Sequence, residues 1–124
     1  MSDARLHVLH AGPAAAMAAW AGGGALPDPE GFGPFEVARC AVEEVWDRMA
    51  AAPVDVLVVH GGWDDWTRCA ADVAVIVVAD APAATDCLRW WRAGAQDVAS
   101  AAELAQPGWP RRLRAAVERQ RVRA

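Results

Sequence analysis

Two stretches, Asp55–His60 and Val73–Ala79, are almost continuously apolar and β-branched, the pattern of strands covered on both faces of a parallel sheet. Three shorter stretches add to them. Arg5–His10 reads as a strand closed by Gly12-Pro13, Phe35–Cys40 alternates with period two, and Gln96–Ser100 is a short strand. Between the strands the spacing turns helical. Residues 13–20 start with Pro at a first helical position and are rich in helix formers. Residues 42–51 place Val42, Val45, Trp46 and Met49 on one side and Glu43, Glu44, Asp47 and Arg48 on the other. Trp63–Ala70 predicts one or two helical turns, and residues 82–93 a helix entered through Pro82 and stopped by Gly94. A last helix over 107–123 carries Leu113, Ala116 and Val117 as its inward stripe. Residues 22–34, rich in Gly and Pro, predict a loop.

Strict alternation of five strands and five helices calls for right-handed crossovers and a doubly wound α/β sandwich. At this length the expected sheet is parallel and five-stranded, in the flavodoxin-like order 2-1-3-4-5. The 124 residues suit one domain spanning 1–124, and 55% hydrophobic residues supply its core.

Composition removes whole chemistries. All 12 basic residues are Arg, so a Schiff base, a lysine general base and a Walker-type phosphate loop are excluded. Ser2, Ser100, Thr67 and Thr85 are the only hydroxyls, neither serine lies in a nucleophile-elbow setting, and no enzyme is expected. Gly22-Gly23-Gly24 lacks the strand and helix that would make it a phosphate cradle. The net charge of −4 argues against nucleic acid, yet it hides an asymmetry. Residues 111–124 hold roughly +5 and the remainder about −9. Cys40, Cys69 and Cys87, odd in number and without a Cys-x-x-Cys pair, read as reduced thiols of a cytoplasmic protein. Neither a signal peptide nor a membrane-length apolar run is visible.

From Phe35 to Arg121 the chain resembles the receiver domain of two-component response regulators. Phe35–His60 looks like its second strand, second helix and phosphorylation strand. Arg92-Ala93-Gly94-Ala95-Gln96-Asp97-Val98 is similar to the receiver signature before the fifth strand, and Leu113–Arg121 is like the last receiver helix where it enters a linker. The resemblance implies an acidic pair for Mg²⁺, a phosphoacceptor Asp, a Ser or Thr, and a Lys. Those positions read His10 and Ala11, His60, Ala79 and Ala101. Without carboxylates no hard cation is held, and without Lys and hydroxyl nothing reads a phosphoryl group. The expectation is a pseudo-receiver, a signalling module without phosphotransfer and without a cofactor.

His10 and His60 are expected at the carboxyl ends of the strands, at the switch point, with Asp80, Asp64 and Asp65 near. Their bland reading is hydrogen-bonded filling of the vacated site; the alternative is a small-ligand or metal sensor using His10, His60 and Asp80. His7 is expected to be a satisfied core histidine, and Trp109 to staple the start of the last helix. Trp63 and Trp66 are expected to pack. Trp90 and Trp91 lie about 100° apart on a helix, so one packs inward and the other faces the edge of the fourth helix, fifth strand and last helix. The resemblance makes that face an interface, for a protein partner or a second copy. Arg89, Trp90, Arg92, Arg112 and Arg119 are its candidate residues. The arginine-rich last helix is expected to continue into an output domain or to pair with its copy.

Overall fold

The computed structural model describes residues 5–12 and 26–123, so the helix expected over 13–20 lies outside the described residues. Five strands form one parallel sheet: β1 (Leu6–Ala11), β2 (Phe35–Cys40), β3 (Val56–His60), β4 (Ala74–Val78) and β5 (Asp97–Ala99). Their order is β2-β1-β3-β4-β5, the flavodoxin-like arrangement. Three α-helices are described, α1 (Val45–Ala51), α2 (Ala84–Arg92) and α3 (Trp109–Arg123). Three 3-10 turns join them, at Val42–Glu44, Asp65–Arg68 and Ala101–Ala105.

The two apolar runs are central strands because both of their faces are covered. On one face Leu6, Val8, Val56, Val58 and Ile76 pack under Trp109, Leu113, Ala116 and Val117 of α3. On the other, Leu9, Leu57, Val59, Val75 and Val77 pack under Val45 of α1, Trp66 and Trp90 of α2. The period-two reversal of side chains sorts each strand between these two cores. β2 is an edge strand, with Phe35 and Val37 buried and Glu36 and Ala38 exposed.

The link between β3 and β4 contains only the 3-10 turn Asp65–Arg68, within the one or two turns expected of it. The turn at Ala101–Ala105 was not anticipated. Ser100 and Glu103 form a capping box that starts it, the Glu103 carboxylate accepting the Ser100 N–H and the Ser100 hydroxyl accepting the Glu103 N–H. Gly94 ends α2 at φ 113°, and a Cβ there would lie 2.9 Å from Ala70 Cβ, so both conformation and space require glycine. No described helix is long and apolar enough to cross a membrane.

Candidate functional site

Parallel register places His10 opposite Val58. His60 lies two residues further along β3, so both imidazoles leave the same face of the sheet at the carboxyl ends of β1 and β3. The two rings meet. Their Nε2 atoms are 2.8 Å apart, their centroids 5.1 Å, and their planes 20° apart. His10 is 0% exposed, while His60 is half-buried at the mouth. The loop after β1 makes room for this contact, because a Cβ on Gly12 would sit 2.5 Å from His60 Cδ2.

A single N–H bridges the pair, so one imidazole is the Nε2–H tautomer and the other carries its proton on Nδ1. Burial pushes the His10 pKa down to about 3, with the charges of His60 and Arg39 adding to the effect. Burial lowers His60 as well, partly opposed by Asp80. A first proton on His60 preserves the bridge, His60 donating and His10 accepting. A second would set two N–H groups against each other and force the rings apart. Replacing Gly12 by Ala is expected to displace the His60 ring and cost about 1–3 kcal/mol, read as a shift of the urea midpoint together with changed His60 ring resonances.

His60 also opens onto a cleft of ≈ 480 Å³ shared with Asp80, Asp86, Arg89 and Trp90. Asp80 does not join the imidazoles. It is exposed, and its Oδ1 accepts the backbone N–H of Ala101 at 3.2 Å. Asp64 lies 3.8 Å from Arg89, Asp65 is exposed, and Ala11 is buried in the opposite core. Ala79 and Ala101 are partly buried. Among the described residues no three His, Cys, Asp or Glu side chains assemble into a metal site. The metal alternative therefore loses its third ligand, and the two imidazoles engage each other instead.

Several expected roles are corrected by burial. Trp90, proposed as an interface residue, is 6% exposed and packs in the core, whereas its neighbour Trp91 is 51% exposed. Arg112 is likewise not a free surface cation. Its guanidinium binds both oxygens of Asp97 at 2.9 and 3.1 Å, donates to the Val98 carbonyl at 3.0 Å, and bonds Glu103. These bonds hold Arg112 above its ordinary pKa, while the Ser100 N–H holds Glu103 below its own. The network clamps α3 to β5. Arg89 pairs with Asp86 and Asp64 and lies over the Trp90 ring, Arg92 is exposed, and Arg119 donates to the Gln96 carbonyl. His7 is not a core residue. Its side chain is 35% exposed, with Nδ1 3.7 Å from Glu36. Trp109 and Trp66 are both buried, as a packing role requires.

The fold and the pocket together define a flavodoxin-like α/β domain with a pair of hydrogen-bonded imidazoles at its switch point. Comparison with family models, curated proteins and solved structures returns no match in any of the three.

Proposed function

We propose that this domain is a receiver-like signalling module that takes up no phosphate and acts through protein contacts of the face formed by α2, β5 and α3. The observation that carries the reading is the His10–His60 hydrogen bond. It fills the two pocket corners where the resemblance to receivers implies an acid for Mg²⁺ and the phosphoacceptor. Neutral imidazoles attract no hard cation, and without one a phosphoryl group finds no counter-charge there. Exposure supports the contact face. Leu88 and Trp91 are 42% and 51% exposed on α2, and Val122 lies open on α3 beside Arg119. Large exposed apolar side chains among arginines are the composition of binding hot spots.

Incubation with acetyl phosphate and Mg²⁺, followed by intact-mass measurement, tests the phosphate-free reading. The expected result is an unchanged mass. Addition of one phosphoryl group, lost when His60 is replaced by Gln, would overturn it.

A further inference from the structure

The two imidazoles meet more strictly than a hydrogen bond demands, since a hydrogen bond tolerates considerable bending. Their centroid separation of 5.1 Å is the 2.8 Å between the Nε2 atoms plus the two ring radii, so both Nε2 bonding directions fall on one line. The planes differ by only 20°. One ring is fixed and the other has room. His10 is fully buried, whereas His60 is half-buried and borders the cleft of ≈ 480 Å³. Gly12 keeps the flank of the line open, because a Cβ there would lie 3.2 Å from His60 Nε2. Asp80 and Asp86 line the same cleft, against Arg89, and give a cation an approach to His60.

We infer that His10 and His60 take up one soft monovalent cation, of the cuprous class, in linear two-coordination between their Nε2 atoms. The ion replaces the bridging proton. That proton leaves its Nε2 and the same ring is protonated on Nδ1, so both Nε2 lone pairs are free and no net proton is released. Two metal–imidazole bonds of about 2 Å need nitrogens about 4 Å apart, and a swing of His60 into the cleft supplies the difference. Coordination number selects the ion. Zinc ordinarily takes four ligands, and among the described residues no third His, Cys, Asp or Glu side chain joins the pair. Cys40 and Cys69 pack in the opposite core. A cuprous ion accepts imidazole and is satisfied by two donors in line. Neither ligand is anionic, and the cost of burying an ion rises with the square of its charge, which favours a monovalent over a divalent one. Hard Mg²⁺ remains excluded, so the inference leaves the phosphate-free reading intact, and it uses nothing of the contact face.

Silver ion, a redox-inert stand-in for the cuprous ion, tests this when titrated into the full nitrogen-15-labelled chain past saturation of its three thiols. Both Nε2 resonances are expected to split by coupling to the silver nucleus, with both rings in the Nδ1–H tautomer. Silver held by a thiol splits neither, so the signal belongs to the pair alone. His10→Leu and His60→Gln are each expected to weaken uptake at this site by more than about a hundredfold, the loss that outer-shell partners alone reach. Gly12→Ala keeps both ligands and is expected to weaken it at least about tenfold, by pushing His60 off the line. Circular dichroism verifies that each variant folds, and the wild-type splitting decides the matter if one does not. Imidazole resonances unchanged at saturating silver would overturn the inference, and so would splitting at one ring only. Splitting lost on addition of equimolar Zn²⁺ would overturn the two-coordinate site, because an ion needing more ligands would then have found them. Anaerobic competition for cuprous ion against a chromophoric chelator is expected to rank the variants in the same order. A wild type binding cuprous ion no more tightly than His60→Gln would contradict it.

Discussion

Acidification from pH 6.5 towards 3 is expected to remove roughly 4–5 kcal/mol of folding stability through His10 alone. The sign follows from proton counts. In the unfolded chain this imidazole takes a proton near its ordinary pKa of 6.5, whereas in the folded protein burial holds it neutral until about 3. Across that window the unfolded state binds more protons, so stability rises with pH and is complete above about 6.5. His60, lowered in the same direction, adds to the slope. Urea unfolding between pH 7.5 and 4, compared with a His10→Leu variant, measures it. The wild type is expected to lose stability much more steeply on acidification than the variant; equal slopes would show that His10 is not held neutral.

Trp109→Ala is expected to cost about 3–5 kcal/mol, by removing the indole that roofs one of the two cores. Trp109 is 1% exposed and packs with Leu104, Leu113 and the inward residues of the sheet. Trp91→Ala, by contrast, is expected to change the monomer's stability by less than about 0.5 kcal/mol, because half of that side chain already faces water. Denaturant midpoints of the two variants separate these effects. A mild Trp109→Ala would mean that α3 is not anchored at its first turn.

The strands were legible because burial on both faces leaves a continuous apolar run, and its β-branched residues and short length favour a strand over a buried helix. The wound order followed from alternation and crossover handedness. Helix phase was less legible. In α2 both Cys87–Trp90 and Leu88–Trp91 are apolar pairs three residues apart, so periodicity alone could not choose the inward one. Only the core beneath decides, placing Trp90 against Gly61 and among Leu57, Val59, Val75 and Val77. Arg112 was misread for a related reason. Its partners Asp97 and Glu103 are 15 and 9 residues away, and an arginine on a terminal helix looks solvent-facing until the strand beside it is known.

The site was half legible. Strand ends and topology placed His10 and His60 at the switch point, but contact between the rings depends on strand register and on the missing side chain at Gly12. His7 shows the limit of strand position as a guide. It lies on the opposite face from His10 by parity, near the start of β1, where cover is incomplete.

Nitrogen-15 spectroscopy of the imidazole rings through an acid titration tests the bridged pair most directly. One Nε2–H and one Nδ1–H tautomer are expected at neutral pH, with His10 uncharged down to about pH 4. Two rings titrating independently near 6.5 would contradict it.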